Sequence, residues 1–151
     1  MAILDQPTVA SVRERVAGFR AALAAYPNIR IVAAPAVEGG QRDVAERKME
    51  NLLATDQHID AVFGTNDECA LGALAAIRGH STTFVVGYDA TPEARAAIAQ
   101  GSPLVVDAVQ DPVTIGRRTI EAVVAKLHGQ IVPPTILVSV GLVDRDSLTK
   151  R

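Results

Sequence analysis

The sequence predicts an α/β fold, a three-layer sandwich in which helices cover both faces of a parallel sheet. Three observations carry this expectation. Short β-branched runs alternate with longer stretches of helical periodicity along the chain, the pattern of βαβ units. Hydrophobic residues make up 48% and aromatics only 3%, with alanine and valine prominent, which suits small-residue helices packed closely on a sheet buried from both sides. A chain of 151 residues holds one substantial core rather than two, so residues 1–151 are expected to form a single domain.

The elements follow in order. Residues 2–4, 29–33, 61–63, 83–87, 104–109 and 135–140 are the predicted strands. After the first of them, Val12, Val16, Phe19, Leu23 and Tyr26 recur every three or four residues and place a helix over 11–26. Val44, Ala45, Met49, Leu52 and Leu53 repeat the pattern for a second helix over 41–54. The third, 67–78, is apolar on nearly all sides and so is expected to be the most buried. Thr91-Pro92-Glu93 combines a capping hydroxyl, a proline suited to the first helical position and an acid at the positive end of the dipole. That helix is expected to stop at Gly101. Asp111-Pro112 repeats the start, and Val113, Gly116, Ile120, Val123, Val124 and Leu127 form the stripe of a fifth helix ending before Gly129.

Several function classes fall away. With 15 basic and 17 acidic residues spread along the chain and a net charge of -2, there is no electrostatic footprint for nucleic acid. One cysteine, Cys69, permits no internal disulfide, and His58, His80 and His128 are too scattered for a metal cluster, so neither metal nor cofactor is expected. Cys69 reads as a small core residue and His58 and His80 as loop residues. Gly39-Gly40 has no phosphate-binding motif around it. The opening Met1-Ala2-Ile3-Leu4-Asp5-Gln6-Pro7 is unlike an export signal, and no apolar run approaches the roughly 20 residues of a membrane helix. A phospho-acceptor receiver domain would need paired acids, an aspartate and a lysine after particular strands. Here the third strand ends in Thr65-Asn66 and the fifth in Gln110. No nucleophile, base and orienting group can be assembled, so catalysis is not expected.

In an open parallel sheet every strand finishes on one edge, and ligands bind in the crevice outside it. The residues just past the strands are Asp5-Gln6, Glu38, Thr65-Asn66-Asp67, Asp89 and Gln110-Asp111. Each alone reads most simply as a helix cap. As a set on one edge, Asn66, Asp89 and Gln110 form the complement of amides and carboxylates that fixes several hydroxyl groups. Arg15, early in the first helix and beside its apolar stripe, can turn its head to the same crevice, although a solvated surface role is the simpler reading of an isolated arginine.

At these residues the chain becomes recognisable. The segments SVRERVAGFRAAL, MENLLATDQHIDAVFGTNDECALGALAAI, FVVGYDATPEARAAI and VVDAVQDPVTIGRRTIEAVVAKLHG together resemble the second half of the ribose- and galactose-type periplasmic sugar-binding proteins of ABC importers. The likeness runs over residues 2–143. Each segment alone is shared with the sugar-sensing domains of LacI-type repressors, which makes an effector-sensing fragment the alternative reading.

The resemblance implies one lobe of a type I periplasmic-binding-protein fold, with sheet order 2-1-3-4-5, whose sugar is clamped between two similar lobes. It implies ligand roles for Arg15 in R-E-R, Asn66 in N-D-E, Asp89 in G-Y-D and Gln110 in V-Q-D-P. A membrane permease is then a partner, and the location is periplasmic or extracytoplasmic. Gly39-Gly40 departs from the family, which commonly stacks an aromatic on the sugar from that loop. The helix over 112–128 packs in the family on the first lobe, which is missing from this chain, so Val113, Ile120, Val123, Val124 and Leu127 are expected to pair two copies into a homodimer. A self-associating domain without ligand is the further alternative.

Overall fold

The computed structural model describes residues 1–55, 58–79 and 82–149; His80 lies outside them. The elements run β1 (Ala2–Leu4), α1 (Ala10–Leu23), a 3-10 turn (Glu38–Gly40), α2 (Arg42–Leu53), β2 (Ala61–Gly64), α3 (Asp67–Ala76), β3 (Phe84–Tyr88), α4 (Pro92–Ala99), β4 (Leu104–Val109), α5 (Pro112–Leu127), β5 (Gly141–Asp144) and α6 (Arg145–Thr149).

The sheet has five strands in the order β1-β2-β3-β4-β5. β1 to β4 are parallel, with Ala2 opposite Val62, Val62 opposite Val85 and Val86 opposite Val106. The predicted second strand at 29–33 does not form as a continuous ladder. Single bridges join Ala33 to Ala2 and Ala36 to Asp5, both parallel, so the segment lies outside β1 where the order 2-1-3-4-5 puts it. Pro35 is the reason: it lacks the amide a ladder needs and tolerates only an edge. The predicted last strand at 135–140 also moves. Pairing begins at Gly141, and β5 runs antiparallel to β4, with Gly141 opposite Val109 and Asp144 opposite Val106.

Alternation along the strands builds two core layers. Ala2, Leu4, Val62 and Val85 face α2, α3 and α4, joining Met49, Cys69, Ala73, Ala94 and Ile98 in the larger cluster. Ile3 and Phe63 face the other way and pack with Val12 and Val16 of α1. Phe19 stacks on Phe63 with ring centroids 4.5 Å apart. Leu4, Met49, Ile98 and Leu104 are almost wholly buried, and each contributes about 1.5–3 kcal/mol of transfer free energy. The expected burial of α3 holds, since Cys69, Ala70, Leu71, Gly72 and Ala73 are all buried. Gly72 lets α2 approach: an added Cβ would lie 2.4 Å from the Arg42 carbonyl oxygen.

α5 is different, because none of its residues is buried. Val113 is 81% exposed, Ile120 63% and Leu127 80%. The chain after it turns back so that Val132, Pro133, Pro134, Ile136 and Val138 wall a groove of about 790 Å³ against Ile115, Val123 and Leu127. The helix does not fold onto the sheet of its own domain. No helix among the described residues is long and apolar enough to cross a membrane.

Candidate functional site

The carboxyl ends of β2, β3 and β4 open on one edge, and the predicted site residues gather there. Arg15 reaches over from the second turn of α1. Its Nη1 donates to the Thr65 carbonyl at 2.8 Å, tying α1 to the end of β2. Its Nη2 lies 3.7 Å from Asp89 Oδ1, and its guanidinium carbon sits 3.8 Å from the centre of the Tyr88 ring. A guanidinium held by a carbonyl, a ring face and a carboxylate is fixed in plane, with donors left to aim outward.

Asp89 is the centre of the group. Its amide donates to the Ala108 carbonyl at 2.8 Å, fixing it against β4, and its Oδ1 accepts from Gln110 Nε2 at 2.8 Å. The backbone here is strained, with φ of 118° at Asp89 and 53° at Ala90, a region that residues bearing a Cβ seldom adopt and that marks functional turns. Burial pushes the Asp89 carboxyl above its ordinary range, and the Gln110 hydrogen bond and the Arg15 charge oppose that rise without cancelling it. The side chain is 34% exposed, so it faces the open strand edge rather than the core.

Asn66 behaves as the simpler reading had it. Its Oδ1 accepts from the Cys69 amide at 2.8 Å and caps α3, while its Nδ2 donates to the Gly40 carbonyl at 3.3 Å. It therefore frames the crevice, with both ends of the amide engaged. Thr91 and Asp111 are caps as well, accepting from the amides of Ala94 and Thr114. Gly40 has no room for a side chain: at φ 61° an added Cβ would lie 1.4 Å from Gln6 Nε2, so the Gln6 amide occupies the place beside the glycine pair. Cys69 is buried and its thiol is pushed up to about 11 by that burial, which makes it inert.

Two features escape a reading of the sequence alone. Tyr88, the shelf for Arg15, was signalled only by standing in G-Y-D beside Asp89. Arg42 joins the starts of three helices, bonding Glu68 at 3.0 Å and Glu93 at 2.7 Å, and these carboxylates, Glu93 first, hold its guanidinium in the charged state. The pairing could not be seen because its members lie far apart in the chain.

A mostly parallel sheet that brings arginine, carboxylate and amide groups to one edge, beside a strained turn, is the architecture of one lobe of the α/β solute-binding class. The chain matches the periplasmic binding protein domain over residues 1–131 and belongs to that family. It is 36% identical over 135 residues to the ribose import binding protein RbsB of Escherichia coli (strain K12), covering 88% of this chain and 45% of that protein. It is 33% identical over 108 residues to the D-apiose import binding protein of Actinobacillus succinogenes, covering 70% and 34%. A solved ABC transporter periplasmic solute binding protein from Actinobacillus succinogenes 130z, with bound D-allose, superposes at a TM-score of 0.88 with 28% identity, over 97% of this chain and 53% of that one. An ABC transporter solute binding protein from Bacillus halodurans C-125, with bound myo-inositol, gives 0.85 at 27% identity, over 97% and 51%. The chain spans about half the length of the curated relatives it matches.

Proposed function

We propose that the chain binds a sugar or related polyol as part of the solute-binding component of an ABC importer, in the periplasm or an equivalent extracytoplasmic space, and delivers it to a membrane permease. The observation that carries this reading is the meeting of Arg15, Asp89 and Gln110 at one strand edge, with Asn66 framing it. Charged donors beside a carboxylate and an amide suit vicinal hydroxyls, which donate and accept at once. Import binding proteins among the relatives, and D-allose and myo-inositol in the solved neighbours, support the same class of ligand. The import relatives favour this over an effector sensor of the LacI type. The reaction is binding and release without chemistry.

This chain supplies the second of two similar lobes, and the sugar rests on its edge with the opposing surface provided from elsewhere. Isothermal titration of the 151-residue chain with D-ribose, D-allose, D-apiose and myo-inositol at millimolar concentration tests the reading. Saturable heat with at least one, lost in Asp89→Ala, is the expected result. No binding by any of them to a cooperatively folded chain overturns it.

A second reading concerns α5. Its stripe of Val113, Ile120, Val123, Val124 and Leu127 lies open together with the groove behind it, and contiguous apolar surface of this kind marks an interaction site. We infer that two copies cover each other's α5 in an isologous pair. Sedimentation velocity is expected to show a dimer that Leu127→Lys with Ile120→Glu converts to monomer. A monomer at every concentration refutes it.

A further inference from the structure

Asp107 lies in β4 with no exposed surface, in a strand otherwise wholly apolar. Neither of its carboxyl oxygens has a hydrogen-bond donor, and the same is true of Oδ1 of Asp67, a residue 2% exposed. The two carboxyls adjoin each other. If both were ionised, two like charges would share a site buried from solvent with their lone pairs unmet. One proton between them removes the repulsion and supplies the missing donor. A cation is the other way to satisfy such oxygens, but among the described residues no group of three or more potential ligands is placed to hold a metal ion.

The pair is built into the strained turn. Asp67 Oδ2 accepts from the Thr91 amide at 2.6 Å, and the Ala90 amide faces Asp107. Those are the two residues that follow Asp89, and Asp89 and Ala90 have positive φ. Gly87 makes the space, since a Cβ there would lie 2.7 Å from Asp107 Oδ2. Burial first, and then the neighbouring Asp67, push the Asp107 carboxyl up to about 8. Among the described residues the other titratable group acting on it is Asp89 from the β3 to α4 turn, which itself pairs with Arg15.

We propose that Asp107 is a positioning residue for the bound sugar: it shares one proton with Asp67, and this bridge holds the 89–91 turn in the shape that presents Asp89 to the ligand. The inference rests on the sugar-binding reading for its consequence, and on the carboxyl pair alone for its mechanism. Raising the pH removes the proton, restores the repulsion and loosens the turn.

Two measurements on the 151-residue chain separate these parts. Infrared spectroscopy of ligand-free protein labelled with 13C-carboxyl aspartate is expected to show a protonated carboxyl at pH 7 that titrates near pH 8 and is missing from Asp107→Asn. Calorimetric titration with D-ribose and D-allose is expected to show affinity falling about tenfold from pH 7 to pH 9, as one proton controls the competent state. Asp107→Asn, whose amide can still donate to Asp67, is expected to bind at pH 7 within about threefold of the wild type and to lose the alkaline fall. Asp107→Leu supplies no donor, and its affinity is expected to drop about tenfold or more even at pH 7. A chain without a protonated carboxyl at pH 7, or an Asn variant that weakens at pH 9 as the wild type does, overturns the proposal. Should neither of these sugars bind, nor D-apiose or myo-inositol, the functional reading fails by itself. The bridge is then judged by amide exchange at Ala90 and Thr91, corrected for intrinsic base catalysis. Faster exchange above pH 8 in the wild type alone supports it, and equal exchange in wild type and Asn variant overturns it.

Discussion

The Arg15 guanidinium lies 3.8 Å from the centre of the Tyr88 ring while donating to the Thr65 carbonyl. A lysine could reach the same region but offers no plane to stack and no second nitrogen to hold both contacts. Arg15→Lys is therefore expected to weaken sugar binding by about 1.5–3 kcal/mol, the worth of a hydrogen bond to a charged group, or roughly tenfold to a hundredfold. Tyr88→Leu keeps the charge but removes the shelf, and is expected to cost less. Titration calorimetry on both variants checks the order, which reverses if Arg15 only covers surface.

Asp89 separates stability from function. Its φ of 118° is natural for glycine and not for aspartate, and glycine there relieves about 1 kcal/mol of backbone strain. Asp89→Gly is expected to abolish sugar-induced stabilisation while the ligand-free melting temperature holds level or rises by about 2–4 °C. A fall of several degrees in the unliganded variant, seen by calorimetry, would mean the carboxylate serves the fold instead.

The sequence made most of this legible where local physics decides. The Val12, Val16 and Phe19 stripe, the Thr91-Pro92 start and the buried run of α3 depend on neighbours in the chain, and they stand where periodicity places them. The misses are tertiary. Whether 29–33 pairs as a strand depends on Pro35 at a sheet edge, and whether the last strand starts at 135 or at Gly141 depends on its antiparallel fit to Val109. In the site, Arg15, Asp89 and Gln110 were legible because each follows a strand or faces that edge. The Asp67–Asp107 pair was not, although a lone aspartate inside Leu104–Val109 was its signal: only the sheet brings the two acids together.

Gly72 measures how closely α2 and α3 pack. Its absent Cβ would meet the Arg42 carbonyl at 2.4 Å, the Ala45 Cβ at 2.8 Å and the Glu46 amide at 2.9 Å, two of them backbone. Backbone cannot rotate away as a side chain can, so Gly72→Ala is expected to destabilise by about 1–3 kcal/mol despite alanine's better helix propensity. For a chain of this size that is a drop of roughly 2–12 °C in melting temperature. Gly116→Ala on α5, with nothing within 4 Å, is the control and is expected to leave the melting temperature level or raise it.

Asp107 also predicts how stability varies with pH. Its folded carboxyl is raised to about 8 by burial and by Asp67, whereas an unfolded aspartate releases its proton near pH 4. Between those limits the folded chain holds a proton that the unfolded chain has lost, so stability falls as pH climbs through the window and levels beyond it. Asp43, Glu93 and Asp111 have lowered carboxyls, held by Arg47, Arg42 and Thr114 respectively. Their contribution is lost only as pH drops below the unfolded carboxylate range. On the alkaline side Asp107 carries the large carboxyl shift, joined in the same direction by Asp89, raised by burial, and toward pH 9 and above by the Cys69 thiol. Urea unfolding at pH 5, 7 and 9 is expected to show the wild type losing on the order of a few kcal/mol across that span. Asp107→Asn is expected to show a clearly shallower fall and to exceed the wild type at pH 9. Equal slopes for the two proteins would show that the buried carboxyl is ionised throughout this range.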